Sequence, residues 1–481
     1  MITTIASIFE QVTSGLHLQL FLLFTLAIWG VWAYKLWLSR SYRPIEGSFS
    51  GTVTILIPTF REVPERLRDA IASALRQEPL EVIVVVDERE PQTRTDVIQS
   101  FGDQVRTIVA PAGKRRAVAA GVQEARGDIV MVTASDVLME EDSVQNLVAA
   151  FSDPRVGGVC GYTRAITVPR NLASLIFFGI TEMRTKLTYR ALGASRQVHV
   201  LDGECFAVRR EYWQRVIDRY LNQRFMGVQP ISGDDGWITT LLLEDGWQTA
   251  YQENARVHTY APTRFGELIR QQLRWTRNSV RRSWYVITRG IAFRTGLPFT
   301  IHTFAYLFKA PVFAALLILT LGRTFGLWQL GGGSINSTEL VTTPFEAAVF
   351  SGGIAGMAVL VTGLVFTTGI RALPRYQKRR LMVDLLLVPV YAVIGLLVLM
   401  PLRLYGIMTA RRINWGTRGG GVLGSGSVIH SASTVLALAA ALTIPVGLLA
   451  LVGLMASSPF LPTATAVLAA GSQGFLYDWD Y

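Results

Sequence analysis

The sequence is short of the residues that staple small folds or hold structural metals. Cys160 and Cys205 are its only cysteines in 481 residues, with no CxxC and no Cys/His ligand spacing. A disulfide framework and a structural zinc site are therefore excluded, and both cysteines are expected as plain thiols facing the cytosol. Charge is also scarce, at 17% of residues against 50% hydrophobic. A chain this long and apolar is not one ordinary soluble domain, so part of it is expected in lipid. The net charge of +11 comes without any nucleic-acid-binding motif, and the cations crowd beside apolar segments. Orientation in an anionic membrane accounts for them, and no nucleic-acid partner is expected. The first long apolar stretch lacks a cationic leader and a small-residue cleavage site. It reads as an anchor within residues 1–45 and not as a removed signal peptide.

What is present divides into lipid-seeking and nucleotide-seeking parts. A hydrocarbon core about 30 Å thick needs roughly 20 apolar residues in helix. Leu16 to Leu38, Pro298 to Leu321, Phe345 to Thr368 and Val435 to Met455 meet that length. Lys35, Arg40 and Arg43 lie at or just beyond the end of the first, whereas Glu10 and no cation precede it. The positive-inside rule then places the N-terminus outside and the following domain in the cytoplasm of an integral plasma-membrane protein. A fifth stretch, Leu381 to Ile407, contains Asp384 and Arg403, is broken by Pro389 and Pro401, and has arginines on both flanks. Both ends favour the cytosol, which predicts an interfacial or re-entrant segment; an ordinary kinked span is the alternative.

Residues 50–263 have the composition of an α/β domain. Val53 to Ile57, Val82 to Val86 and Ile129 to Thr133 are short apolar runs suited to buried parallel strands. Pro64 to Arg76 and Arg115 to Ala125 read as the helices of a βαβ nucleotide-binding fold. Such folds bind ligands at strand C-termini, which singles out Asp87 and Asp136. Asp136 is a candidate metal ligand, or else a helix N-cap; Asp87 is a candidate for base or ribose, or else a turn residue. Gly113-Lys114-Arg115-Arg116 places cations just before a helix, where a diphosphate binds well; the bland reading is a solvated face. In Gly233-Asp234-Asp235-Gly236 the adjacent carboxylates repel, so one pKa rises toward that of a general base, unless both are exposed turn residues. Gln271-Gln272-Leu273-Arg274-Trp275 lies on an expected helix with a surplus of arginine. Trp and Arg side by side suit a sugar diphosphate, and a basic amphipathic helix at the membrane surface has similar residues. His258 and His302 are left without a function, the first packing at a strand end and the second lining a polar path.

The order Ser-Asp, Gly-Asp-Asp, Gln-x-x-Arg-Trp resembles the family 2 processive glycosyltransferases, which include cellulose, chitin and hyaluronan synthases. The hyaluronan synthases are the nearest in kind, through Ile217 to Phe225, Pro389 to Tyr391, Pro401 to Tyr405 and Trp415 to Arg418. The resemblance implies a cytoplasmic GT-A, Rossmann-like domain inserted between transmembrane helices, with a UDP-sugar donor and Mg²⁺ or Mn²⁺. It implies that Asp87 contacts uridine, Asp136 binds the metal, and Lys114, Arg115 and Arg274 meet the diphosphate. Trp415, Thr417 and Arg418 would close over the nucleotide. Asp235 would be the catalytic base beside Asp234, with Trp275, Gln271, Gly203 and Cys205 toward the acceptor. It also implies interfacial helices over 171–189 and 264–290. Three departures stand out: Ala134 replaces the first carboxylate of the Asp-x-Asp metal motif, Gly236-Trp237 follows the acidic pair, and Asp202 and Glu204 flank Gly203 where small neutral residues are usual. These concern metal affinity and the choice of sugar, and leave the reaction type standing. The leading expectation is an inverting, processive synthase that makes and translocates a hyaluronan-like or capsular polysaccharide. The runner-up is a single transfer to a membrane lipid, and the third reading is a scaffold with a decayed transferase domain.

Overall fold

The computed structural model describes residues 23–24, 26–324 and 398–412. Among these, residues 34–304 and 406–412 form one compact unit, and 23–24, 26–33, 305–324 and 398–405 belong to another.

The first unit is built on an eight-stranded mixed sheet of order β3-β2-β1-β4-β7-β6-β8-β5. Its strands are β1 (Val53–Thr59), β2 (Glu81–Asp87), β3 (Arg106–Ala110), β4 (Ile129–Thr133), β5 (Val137–Met139), β6 (Val156–Ile166), β7 (Cys205–Arg209) and β8 (Gln248–Tyr260). The three strands expected from sequence are β1, β2 and β4, and they pair in parallel as anticipated, with Ile55 opposite Val82 on one side and Met131 on the other. Their uninterrupted apolar runs follow from burial on both faces. Leu56, Ile83, Val85, Val130 and Val132 face one core, and Ile55, Ile57, Val84, Val86 and Met131 face the other.

Helices cover both faces. The first core is closed by α2 (Lys114–Glu124), α4 (Arg210–Leu221) and α5 (Asp234–Glu244), through Val118, Trp213, Tyr220 and Ile238. The second is closed by α1 (Pro64–Leu75), through Leu67 and Ile71. The expected parallel fold covers only half of the sheet. Beyond β4, strand β7 runs antiparallel to both β4 and β6, while β6 and β8 run parallel. No pattern in the sequence marks that reversal, because these strands are joined by long excursions and not by hairpins.

Two further helices supply one side of the site. The expected 171–189 helix begins at α3 (Leu172–Met183), capped by Asn171 and Ser174, passes through a π-helical turn at Arg184–Tyr189 and ends at Ala194. The Gln-x-x-Arg-Trp helix is α6 (Phe265–Thr288).

The second unit takes residues 305–324 of α7 (Leu297–Thr324), which begins one residue before the span expected from Pro298, and residues 400–405 of α8 (Met400–Met408), Arg403 among them. Arg403 is buried there, its guanidinium 3.8 Å from the centre of the Tyr306 ring and donating to the Tyr306 carbonyl at 2.7 Å. An arginine inside an apolar stretch is thus held by an aromatic face and a backbone acceptor. Among the described residues no helix is long and apolar enough to cross a membrane. The stretches Phe345 to Thr368 and Val435 to Met455 and the residues Trp415, Thr417 and Arg418 lie outside the described residues.

Candidate active site

The chain runs from β1 out to β2 and β3 and then returns to β4 on the other side of β1. A crevice opens at the carboxyl ends of strands on either side of such a switch point. Here it is a cavity of about 460 Å³. Asp87, Lys114, Arg115, Asp136, Gly203, Asp234, Asp235, Gln271, Arg274 and Trp275 all line it. Residues separated by nearly 190 positions in sequence thus converge. Cys205 does not join them: it is fully buried within β7, so it cannot meet an acceptor. Neither thiol faces the cytosol, as Cys160 is equally buried in β6, and burial raises the pKa of both.

At the end of β2, Asp87 accepts a fork from Arg89 at 2.7 and 2.8 Å. Burial opposes its charge, but the Arg89 hydrogen bonds outweigh it and hold the carboxyl below its ordinary range. Asp136 sits in the turn between β4 and β5. Beside it, the Ser135 hydroxyl donates to Glu62 at 2.7 Å, which brings in a carboxylate that sequence reasoning passed over.

Gly113 takes φ +120° just before α2, a conformation that suits glycine, and so launches Lys114 and Arg115 into the crevice. Their roles then diverge. Lys114 forms an ion pair with Asp234 at 3.1 Å. Burial lowers its pKa, yet Asp234, Asp235 and Glu204 outweigh burial and hold the ammonium above its usual value. Arg115 is buried and donates to the carbonyls of Ser232 and Gly233 at 2.8 and 3.0 Å. It braces the turn that carries the acidic pair, a contact the sequence did not suggest.

That turn ends at Gly233, with φ +78° at the N-cap of α5. The two carboxylates therefore occupy the first helical turn and not an exposed loop. Asp235 accepts from the Gly236 amide at 2.7 Å. Its pKa rises to about 6, first through burial and then through repulsion from Asp234. The rise was expected from repulsion; burial is the larger cause. Gly203 packs against this group so closely that a Cβ would lie 2.7 Å from Asp235 Oδ2. Only glycine permits that approach.

The Asp202-Gly203-Glu204 segment forms the adjoining wall. Asp202 is paired with Arg184 at 2.8 Å, each about 3% exposed. The π-helical turn delivers Arg184 to this position, in keeping with the frequency of such turns at functional sites. Glu204 is raised to about 8, through burial first and then Asp136 and Asp202.

The opposite side is α6. Gln271, Arg274, Trp275, Asn278 and Arg282 recur at helical spacing and line the cavity together. Trp275 is largely packed, its ring 6.0 Å from Phe177 and 5.7 Å from the Arg184 guanidinium, so that only part of the indole reaches the cavity. Arg282 donates to the His199 carbonyl at 2.6 Å, and Arg281 to the carbonyls of Ala410 and Arg412. His258 packs near the end of β8, 2.7 Å from Glu140, as expected. His302 is buried against His199 with ring centres 4.1 Å apart.

Cationic and carboxylate side chains thus line one cavity together. Residues 50–278 match the family described as glycosyltransferase like family 2. A hyaluronan synthase of Streptococcus pyogenes is 27% identical over 429 residues, covering 84% of this chain and 93% of that protein. An N-acetylglucosaminyltransferase of Rhizobium meliloti is 30% identical over 250 residues, 50% of this chain and 58% of the other. Among solved structures, a mannosyltransferase of Pyrobaculum calidifontis in complex with GDP-mannose and Mn²⁺ matches with a TM-score of 0.51 at 18% identity, over 82% of this chain and 100% of that one. That last likeness is one of fold, and the fold is of the GT-A type. The protein is an enzyme, a glycosyltransferase with a family 2 domain. Over most of its length it resembles the hyaluronan synthases.

Proposed function

We propose that this glycosyltransferase is an inverting, processive polysaccharide synthase of the plasma membrane, using a UDP-sugar in the cytoplasm and passing the growing chain through its own helices. The observation that carries the reading is the convergence of Asp87, Lys114, Asp136, Asp235 and Arg274 on one cavity. A shielded carboxyl with a pKa of about 6 at one end is suited to take a proton from a sugar hydroxyl near neutral pH. The acceptor oxygen attacks the anomeric carbon from the face opposite the diphosphate. The new C–O bond forms as the bond to the diphosphate breaks, UDP departs with that electron pair, and the hydroxyl proton goes to Asp235. Asp87 holds the uridine, while Lys114 and Arg274 meet the diphosphate charge. In this reading Lys114 exchanges its Asp234 partner for phosphate as the donor enters.

The metal fit rests on the donor set. Among the described residues no cluster of three or more His, Cys, Asp or Glu is arranged to hold a metal alone. Asp136 at the strand end is a single carboxylate, and Mg²⁺ or Mn²⁺ held by one carboxylate, substrate phosphates and water needs no more from the protein. When bound, the ion supplies charge neutralisation for the departing diphosphate. Ala134, in place of a second carboxylate, fits an ion that arrives with its nucleotide.

The membrane reading rests on the length and hydropathy of Leu16 to Leu38, Pro298 to Leu321, Phe345 to Thr368 and Val435 to Met455, and on the cations beside them. With 381–421 and the helices over 171–189 and 264–290 at the interface, these spans would enclose a polymer path, which a single transfer to lipid does not need. Incubating the purified chain with Mn²⁺ and radiolabelled UDP-sugars, and sizing the product, tests the proposal. A long polymer is expected. A single-sugar lipid adduct would overturn it.

A further inference from the structure

From the carboxylates and engaged cations around the sugar end of the cavity, we infer that the donor subsite accepts uncharged hexoses and rejects uronic acids, so that the product is an uncharged polymer. The inference rests on the proposed nucleotide-sugar site and narrows its substrate class.

The sugar of a bound donor must lie between the diphosphate, at Lys114 and Asp136, and the base, at Asp235. The wall along that interval is Asp202-Gly203-Glu204: the Gly203 backbone packs directly on Asp235, and Glu204 lies close enough to Asp136 and Lys114 for their charges to act on one another. A uronate differs from a hexose by a carboxylate at C6 in place of a hydroxymethyl group. To bind it, this interval would have to offer a cation.

The cations here already have partners. Lys114 is paired with Asp234 and Arg184 with Asp202. Arg115 holds the Ser232 and Gly233 carbonyls, and Arg282 holds the His199 carbonyl. If Lys114 turns to the diphosphate on donor binding, Asp234 is left to add to the negative side. Among the described residues no cation forms an ion pair with Glu204 or Asp235. A second carboxylate in this shielded cavity meets repulsion that solvent screens poorly, from Asp235 above about pH 6 and from Glu204 as well above about pH 8. A neutral hydroxymethyl or acetamido group instead finds carboxyl oxygens able to accept its hydrogen bonds.

The test is titration calorimetry of the full-length chain in detergent, with Mn²⁺, against UDP, UDP-glucose, UDP-N-acetylglucosamine and UDP-glucuronate. The two neutral sugars are expected to bind at least as tightly as UDP, and UDP-glucuronate at least tenfold more weakly than UDP-glucose. Measured with Mg²⁺ at pH 9, above the raised pKa of Glu204, Glu204→Gln removes a charge and keeps the shape, and is expected to narrow that gap severalfold while leaving UDP affinity within about threefold of wild type. Equal wild-type affinities for UDP-glucose and UDP-glucuronate would overturn the inference while leaving the nucleotide-sugar site standing. Absence of binding by UDP and every UDP-sugar would instead remove the site beneath it. Should Glu204→Gln fail to fold, the wild-type comparison alone decides.

Discussion

The parallel end of the sheet, β3-β2-β1-β4, and the mixed end, β7-β6-β8-β5, meet at one cavity but contribute to it by different means. The parallel end presents residues at or shortly after the end of a strand: Asp87 closing β2, Asp136 after β4, and Lys114 after β3 and a glycine turn. Each is placed by a few neighbouring residues and by the twist of the sheet. The mixed end presents residues assembled over long range: Arg184 from a π-helical turn, Asp202 and Glu204 from the approach to β7, Asp235 from the start of α5 and Trp275 from α6. There, side chains lock to one another through buried pairs. The first arrangement is suited to a ligand that varies little, a nucleoside diphosphate. The second can change with the sugar and acceptor while the reaction stays the same.

If that division of labour is right, damage at the mixed end should abolish transfer and spare nucleotide affinity. Asp235→Asn is expected to lower the transfer rate by about a thousandfold, within the range for loss of a general base, while UDP binding changes little. Steady-state rates and calorimetry on the same preparation measure both, and a parallel collapse of UDP affinity would erase the distinction. Arg184→Met should cost about 3 kcal/mol of stability, because it strands the buried Asp202 carboxylate. Thermal and urea unfolding report it, and an unchanged midpoint would show that the pair is not structural.

At the parallel end, Asp136→Ala is expected to remove the strengthening of UDP binding by Mn²⁺, by about tenfold, and to leave metal-free UDP binding alone. An equal loss with and without Mn²⁺ would give Asp136 some other task. The smallest effect tests the coupling between ends. Asp235 must be ionised to accept a proton, so transfer should rise with pH through about 6. Asp234→Asn removes a negative charge that raises the Asp235 pKa and also leaves Lys114 without its ion-pair partner beside Asp235. Both changes favour the ionised base, so the acid limb should move down by about one pH unit. Movement toward higher pH would contradict that electrostatic account.

Strands β1, β2 and β4 were legible because burial on both faces leaves a mark within a few residues, whereas the parallel edge strand β3, only partly buried, leaves none. Val82 to Val86 has no polar position, and Ile129 to Thr133 coincides with β4 to the residue. The Gly-Asp-Asp and Gln-x-x-Arg-Trp runs were legible because their residue types are costly to bury without a purpose. The path of β6, β7 and β8 was not legible, since nothing local distinguishes a strand that will pair antiparallel to β4 from one that will extend the parallel run. Cys205 shows the limit in one residue. It stands two positions from Gly203, which touches the base, yet strand alternation and pairing with β4 and β6 carry it into the core.

The sequence by itself therefore determined the candidate site residues, three of the four strands at the parallel end of the sheet and the apolar stretches beyond it, because each depends on chemistry within a short window. Tertiary structure alone decided which carboxylates pair with which cations. Arg115 and Lys114 are adjacent cations, but one braces a turn and the other pairs with Asp234; Asp202 and Glu204 lie two residues apart, but only the first has an arginine. Charge in a folded site is settled by partners brought from far along the chain, and a linear sequence names the charges without naming the partners.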